Sequence, residues 1–253
     1  MNDRINEPFV AHTDIIDNLK MDASILTPKQ DSLVKRTVRD IDQTILRKYK
    51  KYIPWDTFDR TRNVENRIII SDRDAFETLY TDWNQINLSP RDDTGAFISS
   101  YGKLIVVDDP NKFWSWDRLP EYTQKYLISR CGDKKKAMDF LIHTMFINFL
   151  VHEVIHQYQN PNLSQAFTEC AVRYYQRQIV TNMFYQYIGD EIDEQRINFY
   201  QQLIDKYGDQ MHNLFFNFVI QPKPLEKIEI LNKFDQETNR LFPNGQGLVK
   251  ISQ

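Results

Sequence analysis

The chain has 253 residues, of which 41% are hydrophobic, 26% charged and 13% aromatic, and this composition excludes collagen-like and low-complexity proteins. A net charge of −3 at pH 7 lacks the basic excess of general nucleic-acid-binding proteins, so no nucleic-acid partner is expected. Two cysteines are too few for a disulfide framework. The first residues contain no apolar signal segment, so we expect a cytoplasmic protein, and export that needs no signal peptide is the alternative.

The N-terminal region predicts an irregular arm followed by a helix. Thr27 and Gln30 have the spacing of a capping box, which marks a helix start. Apolar residues then recur at helical spacing at Val34, Val38, Ile41, Ile45 and Tyr49. We interpret residues 1–60 as an arm and helix that form a pro-segment or cap, and residues 61–253 as one compact domain.

A small sheet is expected in the first half of the chain. Residues 67–71 (RIIIS) indicate a buried strand, and residues 74–83 a helix. Residues 95–109 (GAFISSYGKLIVVDD) have the pattern of a hairpin with a turn around Gly102. The predicted strands lie in the first half of the chain and most predicted helices in the second half. This order favours an α+β fold that is mostly helical, with a small mixed sheet.

Helices are predicted through most of the second half. Asp133 can cap a long helix that ends near Tyr158, before the break at Pro161. Ser164 can cap the next helix. The later helices are expected at residues 165–187, 190–207, 209–219 and 223–240.

The long helix carries the sequence HEVIH. Because four residues advance a helix by about 400°, His152 and His156 lie one turn apart on one face, and both imidazoles can reach one ion. Glu153 lies about 100° round from His152, close enough to touch a ligand of that ion. Neutral imidazoles with a carboxylate suit Zn²⁺, and this is the physical content of the H-E-x-x-H motif.

Glu169 is the candidate third ligand. If one helix ends near Tyr158 and the next starts near Ser164, the two form a hairpin that brings Glu169 to the height of His156. Cys170 points about 100° away from Glu169, so it ranks below it as a ligand. His143 lies on the opposite side of the helix from His152 and should not join the site.

The rest of the long helix is apolar nearly all round, as in a central buried helix, and its polar residues make it a poor membrane span. Burying Glu153 and two histidines is costly unless they are paired or bind a metal. The sequence therefore predicts one Zn²⁺ per chain.

HEVIH followed by FTECAVRYY resembles the gluzincin metallopeptidases, particularly the minimal single-domain ones. This resemblance covers about residues 151–175, and the hairpin at 95–107 agrees with the substrate-binding edge strand of that family. It implies a zincin-like fold with His152, His156 and Glu169 as zinc ligands. It also implies hydrolysis of peptide bonds in a peptide or protein substrate, with a zinc-activated water and Glu153 as general base.

The chain departs from the family pattern at Arg173, where many relatives have an acidic residue. Arg173 can pair with Glu169 on the helix surface, which we favour, or hold a substrate carboxylate. The residue that stabilises the oxyanion is not assigned, and the candidates are Tyr101, Tyr174, Tyr175 and His212.

Two alternatives compete with a peptidase. One is a catalytically inactive zinc-binding protein that uses the same cleft to bind a peptide or protein partner. The other is a metal-free helical interaction module in which the histidines only pack. The sequence does not fix the oligomeric state.

Overall fold

The computed structural model describes residues 26–55, 63–84, 96–98, 105–109, 116–119, 121–160, 163, 165–183, 185–189 and 191–217. Its strands are β1 (Ile68–Ser71), β2 (Ala96–Ile98) and β3 (Ile105–Asp108). Its α-helices are α1 (Pro28–Tyr49), α2 (Arg73–Asn84), α3 (Glu121–Cys131), α4 (Lys134–His156), α5 (Gln165–Asn182), α6 (Glu191–Tyr207) and α7 (Asp209–Phe216). Within the described residues the fold is therefore α+β, mostly helical with a small sheet.

Helix α1 begins where the capping box predicts. The Thr27 backbone N–H donates to Gln30 Oε1 at 2.9 Å, and the Gln30 N–H donates to Thr27 Oγ1 at 3.4 Å. The predicted apolar face is buried at every position, from Val34 at 7% exposed to Ile41 at 0%. The predictions for residues 1–25 lie outside the described residues.

The sheet is mixed, as predicted. Among the described residues it has three strands in the order β1-β3-β2. Strand β3 pairs in parallel with β1, so that Ser71 lies beside Asp108, and it pairs antiparallel with β2 as the expected hairpin. The turn predicted around Gly102 lies outside the described residues. Phe76 and Leu79 of α2 pack against Val106 and cover one face of β3.

Helices α3, α5 and α7 differ from what the sequence predicts. Helix α3 has no counterpart among the predicted elements. Helix α5 ends at Asn182, five residues before the predicted end, and α7 ends at Phe216 rather than 219. The cap at Ser164 and the helix at 223–240 lie outside the described residues.

Helix α4 is central to the core. Asp133 caps it as predicted, because the Lys136 N–H donates to Asp133 Oδ1 at 2.8 Å. Of the described helices, α4 alone is long and apolar enough to cross a membrane by length and composition, yet 61% of its most apolar window is buried inside the protein. A buried core helix has the same combination of properties.

The chain divides into two compact units, residues 1–39 with 63–153 and residues 40–62 with 154–253. The first contains the sheet, α2, α3 and most of α4. The second contains α5, α6 and α7, which share an aromatic cluster around Tyr175 and Tyr200. Whether residues 1–60 act as a removable cap stays a prediction.

Candidate metal centre

The structure brings His152, His156 and Glu169 together. One ligand atom from each residue lies within 4.8 Å of the other two, and this is a group that can hold a metal ion. The two histidines belong to the last turns of α4, and Glu169 belongs to the second turn of α5. The helical spacing and the helix hairpin therefore assemble this group as the sequence predicts.

The distance between His156 and Glu169 fits a shared ion. His156 Nε2 lies 3.4 Å from Glu169 Oε1. Two ligands bound tetrahedrally to Zn²⁺ at about 2.0–2.1 Å lie roughly 3.3 Å apart. The observed distance is therefore compatible with both atoms binding one ion.

Gln159 orients the His156 ring. Its Oε1 lies 2.6 Å from His156 Nδ1. Because a carbonyl oxygen only accepts, Nδ1 is the donor, and in the neutral ring Nε2 keeps its lone pair on the side of Glu169. Metal-ligating histidines almost always donate their other N–H in this way. Gln159 was not among the residues predicted for the site, although its position three residues after His156 was a signal for it.

The site is largely enclosed. His152 is 8% exposed and Glu153 is 7% exposed, while His156 and Glu169 are partly buried. Glu153 follows His152 in the same helix, about 100° round its axis. A carboxylate so buried is costly unless it serves a charged or hydrogen-bonding partner.

The turn between α4 and α5 is anchored by its own hydrogen bonds. Asn160 is fully buried, and its backbone N–H donates to the Phe215 carbonyl at 2.7 Å. Its side-chain Nδ2 donates to the Asn217 carbonyl at 3.0 Å. Tyr158 donates its hydroxyl proton to Asp42. These bonds hold the residues that follow α4 against neighbouring segments of the chain.

Arg173 forms an ion pair with a residue of another helix, which the spacing of residues along α5 does not predict. Its Nε lies 3.0 Å from Asp193 Oδ1, and Arg196 Nη1 lies 3.5 Å from the same oxygen. The Arg173 side chain is 25% exposed and that of Asp193 is 11% exposed. This ion pair joins α5 to α6 one turn beyond Glu169 and stiffens the helix that carries the third ligand.

Three of the four oxyanion-donor candidates, namely Tyr174, Tyr175 and His212, belong to one cluster of contacting side chains. The Tyr175 hydroxyl lies 2.8 Å from His212 Nδ1, and Tyr175 is completely buried. Tyr174 is 8% exposed and packs edge-on against Tyr175. Tyr101 lies outside the described residues. The contacts of Tyr175 and His212 indicate a packing role, so the oxyanion donor stays unassigned.

Cys170 and His143 are outside the ligand group that the described residues form. Burial raises the pKa of the Cys170 thiol to about 12. His143 is exposed on α4. Both positions agree with the helical angles of the sequence analysis.

No family model, curated protein or solved structure matches this chain.

Proposed function

We propose that the chain is a zinc-dependent metallopeptidase with a zincin-like fold. The observation that carries this proposal is the convergence of His152, His156 and Glu169 within 4.8 Å, with the buried Glu153 on the same helix. Three protein ligands that leave one position open are typical of catalytic zinc sites, whereas structural zinc sites usually have four.

The donor set supports zinc as the resident ion. Two imidazoles and one carboxylate suit Zn²⁺, whereas Ca²⁺ and Mg²⁺ prefer oxygen ligands only. The hydrogen bond from His156 to Gln159 presents a lone pair for such an ion. Zinc at this site would supply a Lewis acid and lower the pKa of a coordinated water to about 7.

In the proposed reaction, the residues of the chain hold the ion and move protons. The Glu153 carboxylate accepts a proton from the attacking water and later delivers it to the nitrogen of the leaving amine. Burial of Glu153 excludes bulk water, which strengthens its electrostatic effect on the reacting atoms. His152, His156 and Glu169 do not change protonation in this scheme.

Elemental analysis tests the metal first. The native chain and His156→Ala are purified without added zinc, and we expect about one zinc per native chain and a large loss in the variant. If neither chain holds metal after zinc is supplied, the site is only a buried helix hairpin and the peptidase proposal fails.

A peptide-library cleavage assay then tests turnover. Glu153→Gln should keep its zinc and lose cleavage, because its amide cannot accept the proton from water. Glu191→Gln, at an exposed glutamate of α6, is the matched control and should cleave like the native chain. A native chain that holds zinc but cleaves nothing would identify the alternative, a zinc-binding protein without turnover.

A further inference from the structure

A second concave site lies in the unit that contains the sheet, on α1, α4 and the ends of β1 and β3. Its volume is about 510 Å³, within the range of pockets that bind small organic molecules. We name it the α1–α4 groove, and the residues that define its chemistry are Leu33, Val34, Ile142, Phe146, Asp109 and Asp139.

The walls of the groove are apolar. Leu33 is 59% exposed, although it is a large hydrophobic residue, and it lies on the helix face that borders the groove. Ile142 and Phe146 are one turn apart on α4 and contribute the facing wall. An apolar body seated here would cover surface that now faces water, at roughly 25 cal/mol per Å².

The charged groups of the groove have one sign. Asp109 and Asp139 are acidic, and the described residues that line the groove include no lysine or arginine. Asp109 is 8% exposed and follows β3 directly, and its backbone N–H donates to the Ser71 carbonyl at 2.9 Å. The sheet therefore fixes the backbone of Asp109 where it lines the groove, and α4 supplies the exposed Asp139.

We infer that the α1–α4 groove binds a small organic cation, in which an ammonium group is joined to an aromatic or aliphatic body. The ammonium group pairs with Asp109 and Asp139, and the body packs against Leu33, Ile142 and Phe146. This site is separate from the metal centre, because His143 of the groove lies about 180° round α4 from His152. Binding requires no zinc and does not depend on the proposed peptidase activity.

Calorimetric titration of the full chain tests the assignment with 4-phenylbutylammonium as the probe. We expect saturable binding at one site, with and without a zinc chelator. The matched probes are 5-phenylpentanoate, which reverses the charge, and 4-phenylbutanol, which removes it. Both should bind at least about tenfold more weakly, because close charge pairs in partly desolvated sites contribute more than 1.4 kcal/mol. Equal binding of 5-phenylpentanoate would overturn the inference.

Variants test whether the probe binds in the α1–α4 groove. Asp139→Asn and Leu33→Lys are surface changes that the fold should tolerate, and each should weaken 4-phenylbutylammonium by about tenfold. Leu33→Glu should not weaken it, and Asp74→Asn, an exposed aspartate of α2, is the control outside the groove. Unchanged affinity in Asp139→Asn and Leu33→Lys would overturn the inference.

A peptide probe distinguishes a small organic cation from a peptide that carries the same ammonium group. An acetylated, amidated Leu-Lys-Leu peptide carries one ammonium group on a larger body. Tighter binding of this peptide than of 4-phenylbutylammonium would overturn the assignment to a small molecule and identify a peptide as the occupant.

Discussion

A single amide decides which nitrogen of His156 is available to a metal. Gln159 accepts from Nδ1, so the lone pair of Nε2 is available to any ion that the group of His152, His156 and Glu169 holds. Gln159→Ala should remove this restraint and weaken zinc binding by about 10- to 100-fold while leaving the ligands in place. Competition with a chelator of known zinc affinity measures the change.

Gln202→Ala is the matched control for Gln159→Ala, because Gln202 is exposed on α6. Zinc affinity that falls equally in both variants would show that the loss of an amide, rather than the orientation of His156, is responsible. Full affinity in Gln159→Ala would mean that the helix alone holds the ring.

The partly buried His212 side chain makes the stability of the folded chain depend on pH. Burial lowers its pKa below the usual 6.5, Asp209 opposes this shift, and Lys51 and Lys48 add to it. Below pH 6.5 the unfolded chain therefore binds a proton that the folded chain resists, so stability is lost as pH falls toward the folded pKa. His212→Gln should make the stability curve flatter in this interval.

Denaturant unfolding at a series of pH values checks the slope, with a chelator present in every sample. His143→Gln is the matched control for the loss of one histidine. The same slope in the native chain and in His212→Gln would disprove the assignment. His212→Gln also removes one hydrogen-bond partner of the buried Tyr175 hydroxyl. That loss lowers the free energy of unfolding by the same amount at every pH, so it does not change the slope.

At the scale of elements, the cap of α1 can be tested directly. Thr27→Ala removes the side chain that accepts from the Gln30 N–H, and it should lower the free energy of unfolding by about 1 kcal/mol. Thr44→Ala on the same helix is the control, because the Thr44 hydroxyl only donates to the Asp40 carbonyl within the helix. Equal losses in the two variants, measured by urea denaturation, would argue against a capping role.

The hydrophobic pattern of the sequence predicted the helices and strands that bury an apolar face. It did not predict α3, whose side chains are mostly exposed. In α3 only Leu127 is buried, while Tyr122 and Tyr126 are exposed, so no apolar periodicity marks the helix. The predicted extension of α5 to residue 187 is wrong, because the helix ends at Asn182 and residues 185–189 have no regular secondary structure. The parallel pairing of β1 with β3 joins segments far apart in sequence, and a local pattern contains no record of it.

The candidate metal-binding group was predictable for a different reason. His152 and His156 share a helix, so their geometry follows from helical repeat alone. Glu169 needed only a short connection and a helix start. Arg173 could not be placed in the same way, because its partner Asp193 belongs to another helix and tertiary packing decides the contact.

At the scale of the whole molecule, metal binding should raise stability. An ion that binds the folded chain and not the unfolded chain stabilises it by about 2.7 kcal/mol at a free concentration 100 times the dissociation constant. The thermal midpoint of the native chain should therefore rise with zinc concentration and fall with a chelator.

His156→Ala should show little of this dependence, because it lacks one of the three ligands. Differential scanning calorimetry at several zinc concentrations measures both chains. A midpoint that rises equally in the native chain and in His156→Ala would place the stabilising zinc elsewhere.

The order of the strands has a consequence for synthesis. Of the described strands, β3 is central in the sheet but last in the chain, so β1 and β2 lack the strand that they pair with here until residues 105–108 leave the ribosome. At about 5–20 residues per second, the wait is on the order of seconds for Ile68, Ile69 and Ile70. Charged Arg67 and Asp72 flank these isoleucines and oppose aggregation while the nascent strand is unpaired.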